Sequence, residues 1–166
     1  MSRFVVLLFA LLLSACGLKP LYSGGSQGAA GQLLGAVEVS AIPGKAGWLM
    51  RDSLLRRFGA VAEGQKRYRL DVELDDQITG FGVRRDDVVT RERRTLRARY
   101  KLVDLASDTV LIDATAGSDA GIDVVSSEYA TIAAEQKALE NLSLRLAEQM
   151  ATQVSLALRT RAAAGK

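Results

Sequence analysis

Residues 67–78 read RYRLDVELDDQI, and apolar and charged side chains alternate through most of this stretch. A two-residue period is typical of a strand with one buried side and one solvated side. The apolar side carries Tyr68, Leu70, Val72, Leu74 and Ile78, and the polar side carries Arg67, Arg69, Asp71, Glu73 and Asp75. Because only one side is apolar, the strand belongs to a sheet that is covered on one face.

Two further strands are predicted downstream. Residues 90–102 repeat the alternation, and a tight turn at residues 106–109 leads into a third strand at 110–116. The inward side of the 90–102 strand comprises Leu96, Ala98, Tyr100 and Leu102. Residues 79–87 are expected to form the turn or bulged end before it, and residues 117–127, rich in Gly, Ser and Asp, to form a loop. Such short connections predict an antiparallel meander.

A first amphipathic helix is predicted over residues 46–58. Met50, Leu54 and Phe58 recur at four-residue steps, and Gly59 follows as a C-terminal residue in the left-handed region. The single tryptophan, Trp48, either packs on the sheet or stays exposed near the start of this helix.

A second helix is predicted to begin at an N-cap, Ser126 or Ser127, and to extend for about 30 residues. Its apolar positions follow three- and four-residue steps. They are Ile132, Leu139, Leu142, Leu146, Met150, Val154, Ala157 and Leu158. A helix of this length exceeds what the rest of the domain needs, so a kink or a projecting last turn is expected.

A short strand at residues 37–42 precedes the first helix and ends at Pro43-Gly44. The order is therefore strand, helix, three strands, helix. The one-sided polarity of the strands places both helices on the same face. We therefore expect an α+β, two-layer sandwich with an about four-stranded mixed sheet, forming a single domain over residues 36–162 with a disordered tail at 163–166.

The N-terminus has the pattern of a secretory signal over residues 1–15. Arg3 precedes an apolar run from Phe4 to Leu13, which is too short to span a bilayer, and small residues follow it. Cys16 comes directly after Leu-Ser-Ala, as in the lipobox of bacterial lipoproteins, which predicts lipidation of Cys16. The alternative is an ordinary cleaved signal with Cys16 as an unmodified bystander.

Residues 16–35 are predicted to be the lipidated N-terminus and a flexible tether, because Gly and Ser dominate much of this stretch. Leu18, Leu21 and Tyr22 are too apolar for a pure spacer. They could lie on the membrane interface, dock on a partner or pack on the chain's own domain.

Composition excludes several kinds of chemistry. The 166-residue chain has one cysteine and no histidine, so it can form neither an internal disulfide nor a His-containing catalytic triad. A zinc or other transition-metal site is not expected, and neither is a cofactor. Gly80-Phe81-Gly82 lacks the helix that a phosphate-binding loop needs. The carboxylates Asp71, Glu73, Asp75 and Asp76 are expected to be a solvated face rather than an acid–base pair. We expect no enzyme activity.

A basic block extends over residues 84–101, with eight arginines and lysines against three acidic residues. Arginine holds phosphate oxygens well because its planar guanidinium can bind two at once. Export removes nucleic acid from reach, so a phosphorylated glycolipid is the expected anion. The alternative is cross-strand pairing of Arg97 and Arg99 with Asp71 and Glu73.

Residues 13–22, Leu-Ser-Ala-Cys-Gly-Leu-Lys-Pro-Leu-Tyr, resemble the opening of the LptE family of lipopolysaccharide-assembly lipoproteins. The predicted order of strands and helices also resembles that family. The resemblance implies a sandwich at the periplasmic face of the outer membrane, inside the β-barrel translocon LptD. It also implies a role in assembling that barrel and in binding lipopolysaccharide. Gly17, in place of an aspartate associated with inner-membrane retention, agrees with an outer-membrane destination.

The basic side chains expected to contact lipopolysaccharide are Arg84, Arg85, Arg91, Arg93 and Arg94. Two other classes of protein stay open on the sequence alone. One is an auxiliary lipoprotein of a periplasmic lipid-transport system without a barrel partner. The other is a structural envelope lipoprotein whose arginines form a solvated face.

Overall fold

The computed structural model describes residues 29–59, 66–83 and 89–164. The described chain comprises, in order, α1 (Ala29–Gly35), β1 (Val37–Val39), α2 (Gly44–Phe58), β2 (Tyr68–Val83), β3 (Val89–Asp104), β4 (Thr109–Asp123) and α3 (Glu128–Ala164). The predicted signal peptide, Cys16, Arg84 and Arg85 lie outside the described residues.

The four strands form one mixed sheet in the order β1-β2-β3-β4. β1 is parallel to β2, whereas β2, β3 and β4 form the predicted antiparallel meander. Side chains from α1, α2 and α3 share one hydrophobic core with the inward side chains of the sheet. The predicted α+β fold with a four-stranded mixed sheet is therefore confirmed, and α1 adds a short third helix to the two that were predicted.

The core contains the side chains that the strand and helix periods placed inward. Leu70, Leu96 and Leu102 of the sheet are completely buried, as are Leu142, Leu146 and Met150 of α3. Ile78, which was assigned to the inward side, departs from this pattern, since it is 42% exposed, and Val110 at the start of β4 is 51% exposed. Val110 pairs with Val103, next to a register shift between Leu102 and Val103. Ile78 lies near the β2–β3 hairpin, where the apolar cover of the sheet ends.

β2, β3 and β4 are longer than their sequence patterns predicted, whereas β1 ends at Val39 and not at residue 42. β2 and β3 remain paired up to Val83 and Val89, so Gly80 and Phe81 are part of a strand and not a turn. Gly82 has a φ of 75°, which suits glycine. β4 continues to Asp123 through the stretch expected to be a loop. Its Gly and Ser residues are weak strand formers, but the continuous ladder with β3 overrides that local preference.

Two chain segments that were expected to lack structure are partly helical. Residues 29–35 form α1 instead of the end of a tether, because Leu34 packs into the core and is only 1% exposed. At the other end, α3 continues through Ala164 and so extends two residues into the predicted disordered tail. The remainder of the predicted tether, residues 16–28, lies outside the described residues.

α2 begins at Gly44, two residues earlier than its period predicted, and ends before Gly59, whose φ is 78°. Gly59 has an extended ψ of 166°, so it is not the left-handed helical residue expected there. Gly47 packs directly on Ile42, since a Cβ at Gly47 would lie 2.7 Å from the Ile42 carbonyl carbon. Trp48 is 67% exposed, which contradicts packing on the sheet and agrees with the alternative.

α3 begins immediately after Ser127, at the predicted start. The backbone N–H groups of Ala130 and Thr131 donate to the Ser127 carbonyl at 3.1 and 3.2 Å. The helix has 37 residues, which corresponds to about 55 Å. Ile132 was expected in the core but is 54% exposed, because a groove separates the first turns of α3 from β2.

Candidate functional site

The open face of the sheet carries the charged side chains that alternate with the core residues. Its cations are Arg69, Arg91, Arg93, Arg97, Arg99 and Lys101, and its carboxylates are Asp71, Glu73, Asp75, Asp113, Asp119 and Asp123. The acidic residues come from β2 and β4, which flank the basic strand β3. The positive excess of the basic block is therefore balanced by its neighbouring strands over the described part of this face.

Arg91 and Arg93 lie on this face at the hairpin end of β3. The Arg91 Nε donates to Asp123 Oδ1 at 2.9 Å, and Arg93 lies 3.9 Å from the carboxylate of Asp119. The Arg93 guanidinium also lies over the ring of Phe81, 5.4 Å from its centre. Exposed ion pairs contribute only about 0–1 kcal/mol. A phosphate group can therefore replace these carboxylates at little cost.

Arg99 makes the most complete ion pair on the open face. Its Nε and Nη2 donate to the two Asp113 carboxylate oxygens at 3.2 and 3.1 Å. This hydrogen bonding raises the pKa of Arg99 and lowers the pKa of Asp113. The sequence left open, as an alternative, cross-strand pairing of Arg97 and Arg99 with Asp71 and Glu73. Glu73 is the register partner of Arg99 and adds to its electrostatic environment, but the hydrogen-bonding partner is Asp113 on the opposite neighbour, β4.

Arg94 lies on the other face of the sheet, under the helices. Its Nε and Nη2 donate to the two Asp76 carboxylate oxygens at 2.8 and 2.6 Å, and its Nη1 donates to the backbone carbonyl of Glu135 at 2.9 Å. The Asp76 hydrogen bonds raise the pKa of Arg94. The guanidinium therefore connects β2, β3 and α3. Arg94 does not share a surface with Arg91 and Arg93, although the three are close in sequence.

Asp76 was assigned to the solvated carboxylate cluster, but it lies on the helix side of β2. The sequence contains the signal for this placement. Asp75 and Asp76 are consecutive, so the alternation of side chains must direct one of them toward the apolar side. The Asp76 side chain is 22% exposed and that of Arg94 is 12% exposed, so both charges are partly shielded from water.

Replacing Arg94 with Met is expected to lower the free energy of unfolding by about 2 kcal/mol. The change leaves Asp76 charged and unpaired in a partly buried place, and the cost lies between those of exposed and fully buried pairs. Chemical denaturation measures the effect. Arg91→Met, which breaks an exposed pair, is the matched control and should change stability by less than about 0.5 kcal/mol.

The double variant Arg94→Met with Asp76→Leu should recover most of that loss, since no charge is then left unpaired. An Arg94→Met variant as stable as the wild type would contradict the connecting role of this side chain.

A groove of about 740 Å³ lies beside the Asp76–Arg94 pair, between the exposed edge of β2 and the first turns of α2 and α3. Its apolar lining includes Pro43, Ala46, Leu74, Ile132 and Leu139. The groove is not evident from the sequence, because it is formed by four segments that are distant along the chain.

The described residues offer no metal centre. Over residues 29–59, 66–83 and 89–164, no group of three or more His, Cys, Asp or Glu side chains is arranged to hold a metal ion. Among the helices in these ranges, none combines the length and apolar character needed to cross a membrane.

Solved structures with this fold come from several bacteria. A candidate lipoprotein from Caulobacter crescentus CB15 is 22% identical and has a TM-score of 0.67, with 81% of this chain and 98% of that chain covered. Uncharacterized lipoprotein B from Nitrosomonas europaea is 14% identical with a TM-score of 0.56, covering 72% of this chain and 81% of that one. A minor lipoprotein from Acinetobacter baumannii is 13% identical with a TM-score of 0.56, with 72% of this chain and 90% of that chain covered.

No protein of curated function shows significant sequence similarity to this chain. A family model described as "LptE: Lipopolysaccharide-assembly" matches residues 34–154. The match begins at the buried Leu34 in α1, includes all four strands and ends at the buried Val154 in α3. It therefore covers most of the chain and nearly all of its core, and the chain belongs to the LptE family of lipopolysaccharide-assembly proteins.

Proposed function

We propose that this protein is an outer-membrane lipoprotein, anchored at the periplasmic face through a lipid on Cys16, that forms a complex with an LptD-type β-barrel. In that complex it supports assembly of the barrel and insertion of lipopolysaccharide into the outer leaflet, without catalysing a reaction. The observation that carries the proposal is the family match over residues 34–154. The lipobox-like sequence before Cys16 supports the anchor.

The proposed lipopolysaccharide contact is the hairpin end of the open face. Arg91 and Arg93 are exposed there, and Arg84 and Arg85 follow the end of β2 in the sequence. The ion pairs of Arg91 and Arg93 are solvated and can be exchanged for the phosphates of the glycolipid. Arg94 is not part of this contact, since its three hydrogen bonds lie on the helix side.

The barrel complex is tested by extracting the tagged, full-length protein from membranes in mild detergent and purifying it. We expect a large β-barrel to co-purify in a fixed ratio and to be identified by mass spectrometry as LptD. A protein that is purified without a barrel, but with components of a lipid-transport system, would favour the auxiliary lipoprotein. A protein that is purified alone would favour the structural lipoprotein.

The lipopolysaccharide contact is tested with the double variant Arg91→Ala, Arg93→Ala. We expect about tenfold weaker binding of lipopolysaccharide at fixed ionic strength, because each exposed arginine–phosphate pair contributes up to about 1 kcal/mol and a factor of ten in affinity corresponds to about 1.4 kcal/mol. The measurement is fluorescence anisotropy with labelled lipopolysaccharide. The matched control is Arg97→Ala, Arg99→Ala, which removes the same charge from the same face further from the hairpin.

An equal loss in both double variants would show that net charge, and not the hairpin end, determines binding. Unchanged binding in the Arg91 and Arg93 variant would contradict the proposed contact. Circular dichroism and thermal unfolding check that both variants keep the fold.

A further inference from the structure

Among the described residues, the edge of β2 on the β1 side has no strand partner beyond Leu70. β1 pairs only with Tyr68, Arg69 and Leu70, the first three residues of β2. One further backbone bond continues that pairing, from the Ser40 N–H to the Leu70 carbonyl at 3.0 Å. The chain then turns away into α2, while β2 extends to Val83.

The direction of the unpaired backbone groups follows from the bonds at the start of the strand. The Tyr68 N–H and the Leu70 carbonyl both point to the β1 side. Backbone groups alternate between the two edges of a strand, so Val72, Leu74, Asp76 and Ile78 direct their N–H and C=O groups to the same side. No described residue forms a backbone hydrogen bond with them at that edge.

At the outer edge of β1, charged side chains occupy the backbone carbonyls that another strand would need. The Lys66 ammonium donates to the carbonyls of Gly35 and Val37 at 3.1 and 3.4 Å, and the Arg51 Nε donates to the carbonyl of Val39 at 3.3 Å. Charged side chains that occupy edge carbonyls prevent pairing with another strand. The corresponding carbonyls of β2 carry no such cover from the described residues.

The groove adjoins this exposed edge. Leu74 forms part of its lining on the sheet, and Ile132, Ala133 and Leu139 of α3 form the opposite wall. The groove also contains four charged residues: Arg94 is engaged by Asp76 and the Glu135 carbonyl, and Lys45 and the Glu135 carboxylate add one charge of each sign. The groove therefore presents apolar surface beside unpaired backbone donors and acceptors. That combination fits an added β-strand whose alternate side chains enter the groove.

The outer side of the same edge is acidic. Glu73 and Asp75 are exposed on the open face, one residue on either side of Leu74. The Asp75 carboxylate accepts hydrogen bonds only from the neighbouring Gln77 amide among the described residues, at 3.1 and 3.3 Å. An added strand with apolar side chains toward the groove would direct its other side chains to these carboxylates. Basic residues at those positions complement their charge.

We propose that the β2 edge from Leu74 to Ile78 binds an extended segment of a partner protein in which apolar and basic residues alternate. Backbone hydrogen bonds to β2 supply the affinity. The groove selects the apolar positions, and Glu73 and Asp75 select the basic ones. Five residues of strand span about 17 Å, which accommodates a segment of about five residues. β4 also has an outer edge, but the groove does not adjoin it.

The probe is the synthetic peptide acetyl-Lys-Leu-Lys-Leu-Lys-Leu-Lys-amide, added to the mature protein in detergent. NMR-detected hydrogen exchange should slow at the amides of Leu74, Asp76 and Ile78 and not along β4. A peptide of the same composition, with its leucines in one block and its lysines in another, should bind at least about tenfold more weakly.

Two exposed residues of α3 provide matched variants. Ile132→Gln alters the groove wall and should weaken binding about tenfold, whereas Leu144→Gln lies outside the groove and should leave it unchanged. Slowed exchange at β4 instead of β2, equal binding of the block peptide, or equal effects of the two variants would each overturn the proposal. The inference is independent of the proposed function, because this test uses neither the barrel nor lipopolysaccharide.

Discussion

Leu146→Ala is expected to lower the free energy of unfolding by about 2–5 kcal/mol, the range for truncating a fully buried leucine. Leu146 has no solvent exposure and lies in the middle of the buried stripe of α3. The helix packs there against both α2 and the sheet, so its neighbours cannot move inward without breaking other contacts. The lost transfer free energy and the cavity therefore both contribute.

The measurement is urea denaturation of the mature chain produced without its lipid, followed by circular dichroism. Leu144→Ala is the matched control, since it removes the same atoms from the same helix at an exposed position. It should change stability by less than about 0.5 kcal/mol. Similar losses in the two variants would show that α3 does not present its Leu146 side to the core.

Cys16→Ser is expected to move the protein from the membrane fraction to the soluble periplasmic fraction, or to leave it as an unprocessed precursor. Each buried methylene of an attached acyl chain contributes about 0.8 kcal/mol to membrane binding, so loss of the lipid removes the anchor. In the described residues no helix replaces it as a membrane span. Fractionation followed by immunoblotting measures the distribution, and mass spectrometry of the N-terminal peptide detects the lipid.

Ser23→Ala, a small change in the same segment, is the control and should leave the protein in the membrane fraction. Retention of Cys16→Ser in the membrane at the wild-type level, with normal cleavage, would contradict the lipoprotein assignment. In that case Cys16 would be the bystander of an ordinary cleaved signal.

The predictable strands and helices are those in which apolar residues recur with the period of the element and so mark its buried side. In β2, the alternation from Tyr68 to Leu74 predicted both the strand and its inward side. In α3, the steps from Leu139 to Leu158 predicted a helix with one buried stripe. Such patterns are local, so they can be identified without knowledge of the partner elements.

The segments that were not predictable depend on contacts distant in sequence. The end of β4 has the composition of a loop, yet it is a strand because β3 supplies a paired ladder as far as Asp123. Likewise α1 lies in a Gly-rich stretch, and it is part of the core because Leu34 packs against elements that are distant in sequence. Neither segment contains a local sequence pattern that indicates which distant element it packs against.

The candidate site shows the same division. The concentration of arginine in β3 was evident from the sequence, but much of its neutralisation was not, because Asp119 and Asp123 come from a part of β4 that was predicted to be a loop. Arg93 and Arg94 are adjacent in sequence and point to opposite faces of the sheet. The two-residue period of the strand predicts that these two side chains lie on opposite faces. Of the candidate arginines in the described residues, Arg91 and Arg93 therefore share one surface.

The sequence by itself determined the class of fold, the apolar side of each main strand and helix, and the resemblance to a family of envelope proteins. These properties depend on periodicity and short motifs, which act over a few neighbouring residues. Tertiary structure alone decided the charge balance of the open face, the Asp76–Arg94 connection and the groove beside the β2 edge. Each of these depends on which distant segments become neighbours, and strand register and helix packing determine that only when the whole domain folds.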